Sequence, residues 1–285
     1  MCIALFVWQA HPLYPFLLLL NRDEFHNRPT KEVSWWDDGE ILGGRDEVAG
    51  GTWLGCTKDG KFAFLTNILE SHPSPVARTR GDLPVRFLKG IKSPREYAED
   101  LSKESDQYNG FNLIVMDIST KTMVYVTNRP KGEPITVTDV SPGIHVLTNA
   151  TLDSPWHKAE HLHKNFSELF TKYKEDEVPL REFVIGVMSD TVKADKQRLP
   201  NICSPDWELS LSPIFVEVDT PLGCYGTRST IAISVKTRGE VSFYEKYLKD
   251  EKWNEHTVNY QIIQKTKKKA TKNGDFQKML LAQQI

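Results

Sequence analysis

Cys2 stands next to the initiator methionine, a position at which a thiol can gain a second reactive group. Methionine is normally removed before a small residue, and its removal would leave the thiol and a free α-amine on one residue. The α-amine, with a pKa of about 7.7–8, can accept the proton of the thiol, which is the nucleophile. Cys2 is therefore a candidate N-terminal nucleophile. The alternative is a small residue that happens to begin a strand.

A polar segment, Asn-Arg-Asp-Glu at 21–24, directly follows the apolar run of residues 16–20. An arginine beside a thiol favours the thiolate, and a carboxylate beside an ammonium group orients it and shifts its pKa. Arg22 and Asp23 can supply this chemistry, although a solvated turn after a strand would contain the same residues. Their chemical value depends on whether they lie near Cys2.

The two apolar runs that carry these residues must bring them together. Residues 2–8 and 16–21 have the length of strands, and "AHPLYP" between them is typical of a turn. An antiparallel hairpin places the start of one strand beside the end of the other, so we expect Cys2 beside Arg22 and Asp23. The interruption, with no basic residue before the first run, argues against a signal peptide and a membrane span.

Strands joined by short turns continue along the chain. Asp59 and Gly60 predict a hairpin turn between residues 51–57 and 61–67. Ser93-Pro94 with Glu96 predicts the start of a helix that extends to about residue 108. This order favours mostly antiparallel sheet with helices gathered between the strands, an α+β layered domain. The other predicted strands are 111–118, 123–129, 212–219, 229–236 and 240–247, and the other predicted helices are 154–173 and 180–190.

The lysine-rich run from about Lys265 marks the end of the predicted domain. Residues 1–264 are expected to form a single domain, and residues 265–285 a basic tail with a short terminal helix. A solvated tail is the preferred interpretation over a localisation signal. Because a run of such low apolarity buries little area, we expect the domain to fold without it.

The charge balance and the cysteines narrow the class of protein. The 36 lysines and arginines against 38 aspartates and glutamates give a net charge of −2, without the basic excess of a nucleic-acid binder. The four cysteines lie far apart, which fits free thiols in a reducing compartment and predicts a cytoplasmic protein. His157 and His161 have a spacing that can hold a metal, but no third ligand follows at a known spacing, so no metal site is predicted.

Seven motifs, in order along residues 1–264, resemble those of the NRDE family, also called the transport and Golgi organisation protein 2 family. They read "MCI", "NRDEFHNRP", "GGTWLG", "LTNILE", "YNGFNLI", "LTNATLDSPW" and "YGTRSTI". That family in turn resembles the N-terminal-nucleophile hydrolases, particularly the cholylglycine hydrolase and penicillin V acylase branch. The resemblance implies their four-layer αββα sandwich of two mostly antiparallel sheets.

The resemblance also implies a set of site residues. They are Cys2, Arg22, Asp23, Asn67, Asn149 and Arg228. Cys2 matches the nucleophile, and the next two match the arginine and aspartate of the second strand. Asn67 and Asn149, each in an "LTN" triplet, match asparagines near the oxyanion hole, and Arg228 matches a late arginine. Such a set would let the thiol attack an acyl carbonyl while the α-amine carries the proton.

Two functions from different classes remain open. The first is hydrolysis or transfer of an acyl group of a small amide or thioester, without a cofactor, in a protein of Golgi organisation and secretion. The second is non-catalytic binding or trafficking of an apolar ligand such as haem or an acyl lipid, because the resemblance also connects the family with haem trafficking and lipid homeostasis. The expected partner is a small molecule and not nucleic acid, and association with the Golgi, with mitochondria or with a membrane surface is left open.

Overall fold

Both faces of the first strand are buried, which explains the unbroken apolar run at the start of the chain. In the computed structural model, which describes residues 2–263, strand β1 (Ile3–Trp8) pairs antiparallel with β2 (Phe16–Phe25). The register joins Ile3 to Asn21. The hairpin predicted from the sequence is therefore confirmed.

All named strand pairs are antiparallel, and they build two sheets. The strands after β2 are β3 (Thr30–Trp35), β4 (Ile41–Asp46), β5 (Leu54–Thr57), β6 (Lys61–Asn67), β7 (Phe111–Asp117), β8 (Thr122–Thr127), β9 (Thr136–Asp139), β10 (Gly143–Leu147), β11 (Glu217–Thr220), β12 (Gly223–Val235), β13 (Glu240–Lys249) and β14 (Lys252–Gln261). The first sheet has the order β10-β1-β2-β12-β13-β14 with β11 beside β12, and the second has the order β3 to β9.

Helices lie in the connections between strands. They are α1 (Asp82–Lys89), α2 (Pro94–Leu101), α3 (His157–Phe170), α4 (Leu180–Val187) and α5 (Pro205–Ser210), with short 3-10 turns at Ser105–Gln107, Thr171–Tyr173 and Lys196–Arg198. In residues 2–263, no helix combines the length and the apolarity that crossing a membrane would require.

Successive side chains of a strand point to opposite faces of its sheet, so the buried side chains form three apolar layers. On β1, Ala4 and Phe6 face the second sheet, whereas Ile3 and Leu5 pack against α3 and α4. Helices α1 and α2 cover the outer face of the second sheet. Two sheets packed face to face between helices make a four-layer αββα sandwich, so the predicted α+β class and layering are confirmed.

All three predicted helices are shorter in the structure, and the one predicted at 180–190 ends at Val187. Ser93 and Glu96 form the predicted capping box, but α2 ends at Leu101 and not near residue 108. Helix α3, predicted to begin at Ser154, begins at His157 after Trp156, and Ser154 does not cap it. Ser154 Oγ instead bonds the hydroxyl of Thr151 within the preceding turn, which is the local competition with helix capping that serine side chains offer.

The strand predicted at 212–219 is largely irregular. Only its last residues belong to β11, and β14 was not predicted at all. The first four residues of β14 are exposed, partly buried and exposed positions alternate from His256 onward, and the strand lies at the edge of the first sheet. The basic tail and terminal helix predicted for 265–285 lie outside the described residues.

Candidate active site

Cys2, Arg22 and Asp23 line one cleft at the end of the layer between the two sheets. The register of β1 and β2 joins Ile3 to Asn21, and its continuation by one residue places Cys2 opposite Arg22. The Sγ atom of Cys2 lies 3.9 Å from the carbonyl oxygen of Asp23. The cleft has a volume of about 360 Å³. The structure therefore brings together the three residues that the hairpin was expected to bring together.

Arg22 lies on the face of β2 that points toward the second sheet, since Leu18 and Leu20 occupy the same face and pack between the sheets. Its guanidinium carbon lies 4.3 Å from the ring centroid of Trp53, a cation–π geometry. A Cβ at Gly44 would approach the Trp53 ring to 2.2 Å, so glycine is required there for the ring to lie beneath the arginine.

Asp46 supplies the negative charge for two arginines of the cleft. Its Oδ2 lies 3.4 Å from Arg22 Nη2 and accepts a 2.6 Å hydrogen bond from Arg28 Nε, and Nη2 of Arg28 donates to Oδ1. Backbone N–H groups of Val48 and Ala49 also donate to Asp46. Arg22 is thus held in place by a ring and a fixed carboxylate.

Asp23 points to the opposite face of β2, toward the helices. Its Oδ1 accepts a 2.7 Å hydrogen bond from Thr227 Oγ1 on β12. Lys158, in the first turn of α3, is only 3% exposed, and the charges of Asp23 and Cys2 act on it. Burial lowers the pKa of Lys158, whereas these two groups raise it. A buried lysine therefore belongs to the surroundings of Cys2.

Lys158 was missed by the sequence analysis, although the sequence contains a signal for it. Lys158, Leu162 and Phe166 follow one another at intervals of four, and all three are buried. A lysine on the apolar stripe of a helix is rarely fully buried without a partner for its charge. Its position in the first helical turn also opposes the helix dipole. These two costs mark the residue as a functional candidate.

The surroundings of Cys2 act on the pKa of its thiol in opposite directions. The side chain is partly exposed to the cleft, yet desolvation raises the pKa of Cys2, and the charge of Asp23 raises it further. Arg22 acts in the opposite direction. A protonated thiol is a poor nucleophile, so any reaction at Cys2 needs a base close by.

The two "LTN" triplets end strands of opposite sheets and meet beside the cleft. Thr66 Oγ1 donates to the carbonyl of Thr148, and Asn149 Nδ2 donates to the carbonyl of Asn67 at 2.6 Å. Asn149 is 3% exposed. It joins the two sheets, and only one of its two amide hydrogens remains for an oxyanion.

Arg228 forms hydrogen bonds to the backbone at the end of β2 and just after it. Its Nη1 donates to the carbonyls of Phe25 and Arg28 at 2.9 and 2.5 Å. Among the described residues, the lining of the cleft includes Asn67 but neither Asn149 nor Arg228. The structure gives these last two residues supporting contacts, and their catalytic roles stay predictions.

The histidine pair on α3 forms no metal centre in the described part of the chain. Nε2 of His161 lies 2.9 Å from Asp190 Oδ2, and His157 lies beside Arg198. No group of three or more histidine, cysteine or acidic side chains with a ligand arrangement occurs among residues 2–263.

Comparison with known proteins gives a family and a fold. Residues 1–250 match the sequence profile of a family described as Transport and Golgi organisation 2. The mouse protein named Transport and Golgi organization 2 homolog is 34% identical over 280 residues, which cover 92% of this chain and 99% of the relative. The human protein named Transport and Golgi organization protein 2 homolog is 32% identical with the same coverage.

Two solved structures of conjugated bile acid hydrolase from Clostridium perfringens share the architecture. A cysteine-to-alanine mutant has a TM-score of 0.50 at 13% identity and covers 92% of this chain and 97% of its own. An arginine-to-leucine variant has a TM-score of 0.52 at 12% identity and covers 93% and 99%. This likeness shows the N-terminal-nucleophile hydrolase fold.

Proposed function

The chain belongs to the Transport and Golgi organisation 2 family, and we propose that its cleft hydrolyses or transfers the acyl group of a small amide or thioester, with Cys2 as the nucleophile. The single observation that carries the proposal is the position of Cys2 in a charged cleft opposite Arg22. The other cysteines of the described residues do not line this cleft.

The chemistry follows from the groups present once Met1 is removed. The Cys2 sulfur forms a bond to the acyl carbon while the bond from that carbon to the leaving nitrogen or sulfur breaks. The α-amine takes the thiol proton and passes it to the leaving atom. In hydrolysis, water then attacks the thioester, its hydroxyl joins the acid product, and its proton returns to the sulfur through the same amine.

The surrounding side chains supply charge and orientation. Asp23 lies where it can orient the α-ammonium, because its carbonyl already contacts the Cys2 thiol and its carboxylate is fixed by Thr227. Arg22 favours the thiolate and the oxyanion that follows. A donor to the oxyanion typically contributes roughly 10²–10³ in rate. Asn149 is the proposed donor, with its remaining amide hydrogen.

The binding alternative fits the cleft less well. A haem lying in it would cover Arg22, Arg28 and Arg80 with apolar surface, and burying charges in that way is costly. No histidine or methionine lines the cleft among the described residues, so the thiol of Cys2 is the one haem ligand that its lining offers. The names of the relatives suggest an association with the Golgi, which we propose for this chain as well, with a cytoplasmic location.

The test is the intact mass of the purified native protein after exposure to a panel of acyl thioesters and amides. Peptide mapping should show that Met1 is absent and that an acyl adduct forms on Cys2. The Cys2→Ala variant should form no adduct and keep its fold, and Cys2→Ser should retain the fold and some reactivity. Quantitative retention of Met1 in cells, or a complete lack of adducts on Cys2, would contradict the proposal.

A further inference from the structure

Arg80 is the one arginine of the cleft that no carboxylate neutralises in the described part of the chain. It is half-buried, and its Nη1 donates to the carbonyl oxygen of Gly110 at 2.9 Å. The other arginines that line the cleft each form an ion pair. These pairs are Arg22 with Asp46, Arg28 with Glu24 and Asp46, and Arg78 with Asp82 and Glu104.

Glu70 is the acidic residue whose charge acts most on Arg80, and its carboxylate already has other hydrogen-bond partners. Glu70 Oε1 accepts hydrogen bonds from Nε and Nη2 of Arg129, and Oε2 accepts one from the backbone N–H of Gly110. Glu70 therefore acts on Arg80 at a distance, without a direct ion pair. A partly desolvated guanidinium with spare donors and no counter-ion is a site for an anion.

The chain around Arg80 is fixed, so the guanidinium is placed before a ligand arrives. Residues 68–81, which we call the cleft loop, end at Gly81, whose carbonyl accepts a hydrogen bond from the N–H of Thr52. A Cβ at Gly51 would meet the backbone of Gly81 at 2.4 Å, so these two segments touch closely. Further back, the N–H of Ser74 donates to Asn109 Oδ1, and Asn109 Nδ2 donates to the carbonyl of Ser74.

Arg80 and Cys2 line the same cleft of about 360 Å³, and the cation of Arg80 would attract a thiolate on Cys2. A compound whose acyl carbon reaches the sulfur would therefore extend another part toward the guanidinium. Arg80 lies on the second-sheet side of the cleft, whereas Cys2 begins β1 of the first sheet, so one ligand can contact both walls.

We propose that Arg80 binds an anionic oxygen group, a carboxylate or a phosphate, on the compound whose acyl group reaches Cys2. This inference rests on the function proposed above, and it narrows the substrate to an anionic acyl compound. Arg80 is then a specificity-determining residue. Arg22 differs from it, because Arg22 already forms an ion pair with Asp46 and a cation–π contact with Trp53.

The experiment is calorimetric binding to the full-length Cys2→Ala protein, which cannot form an acyl adduct. The probes are N-octanoylglycine, its phosphonate analogue N-octanoylaminomethylphosphonate, and the neutral N-octanoylglycinamide. A charge-assisted pair contributes about 1.5–3 kcal/mol, so the favoured anion should bind at least roughly tenfold more tightly than the amide. Comparison of the two anions distinguishes a carboxylate from a phosphate site.

Substitutions assign the preference to one residue. Arg80→Met should remove the preference for the anion and leave the affinity for the amide unchanged, and Arg80→Lys should restore part of it. Arg78→Met is the matched control, because Arg78 lies in the same loop but is already paired with Asp82 and Glu104, and it should keep the preference. A thermal melt of each variant verifies the fold.

Three results would overturn the inference. They are equal affinity for anions and amide in the Cys2→Ala protein, no binding of either anion, and an equal loss for all probes in Arg80→Met, which would mean that the arginine only supports the loop through Gly110. None of these depends on acyl transfer. Failure of the proposed chemistry would instead appear as absent adducts on Cys2 in a protein that still prefers the anion.

Discussion

The layer between the two sheets has a charged end and an apolar middle, and each contains a cysteine. Cys56 lies in the middle, fully buried among Phe62, Phe64 and Met116. Burial raises its pKa to about 12, and the only described polar contact of its thiol is the hydroxyl of Tyr260. Cys2 is also desolvated, but its neighbours are Arg22, Asp23 and Lys158. Burial alone therefore does not make a thiol functional, since charged neighbours decide what the desolvated group can do.

The strongest test of this comparison is the reactivity of the two thiols in the native protein. Iodoacetamide should label Cys2 at least roughly 10²-fold faster than Cys56, because Cys2 opens to the cleft, whereas the fully buried Cys56 reacts only when the surrounding structure opens. Peptide-resolved mass spectrometry follows each site separately, and unfolding in guanidinium should make the two rates similar. Equal rates in the folded protein would remove the distinction between the two regions.

Glu245 of β13 connects the two sheets through hydrogen bonds from β12 and β3, and its ionisation should appear in the stability of the protein. Burial raises the pKa of Glu245 from an ordinary 4.5 to about 7, while hydrogen bonds from Ser229 Oγ and the N–H of Val33 oppose the shift. The folded state thus binds a proton more tightly than the unfolded state. The resulting stability is fully present below about pH 4.5 and is lost as the pH rises to about 7, roughly 3 kcal/mol in all.

Glu245→Gln should remove this dependence, because the amide stays neutral at every pH, its oxygen can accept from the N–H of Val33, and its NH₂ group can donate to Ser229 Oγ. We expect the variant to be more stable than the natural protein at about pH 8 and similar at about pH 5, as measured by urea unfolding. Identical pH dependence of the two proteins would show that the carboxyl ionises normally.

Substitution of Lys158 tests whether the reactivity of Cys2 depends on this buried amine. Lys158→Met should move the pH profile of Cys2 alkylation upward by about one unit, because a cation near the thiolate is lost. Lys158→Arg should restore the profile, and alkylation of Cys56 should not respond to either change. A profile unchanged in Lys158→Met would limit the lysine to a structural role.

The smallest effect is expected for the lysine-rich tail. Removal of residues 265–285 should change the free energy of unfolding by no more than about 0.5 kcal/mol, since a lysine-rich run buries little apolar area. The labelling rates of Cys2 and Cys56 should also stay the same. A large loss of stability on truncation would mean that the tail packs on the domain.

Local signals in the sequence were sufficient for the first hairpin and for the cleft end that it creates. Strand length, the turn at 10–15 and the polar residues after β2 place Cys2 beside Arg22 and Asp23, because a hairpin needs only neighbouring segments. The capping box at Ser93 was equally local, and it was found. The order of strands and helices also indicated an α+β layered domain, but the four-layer sandwich was inferred through family motifs, since no local pattern specifies two stacked sheets.

Contacts between distant segments had no signal of their own and were decided by the tertiary structure. Lys158 reaches the Cys2 site because α3 packs on β1, and Thr227 reaches Asp23 because β12 pairs with β2 about two hundred residues later. Arg80 comes to the same cleft from the other sheet. The sequence by itself determined which strand ends carry charge, whereas only packing determined which charges meet, because side-chain periodicity is a property of one segment and pairing is a property of two.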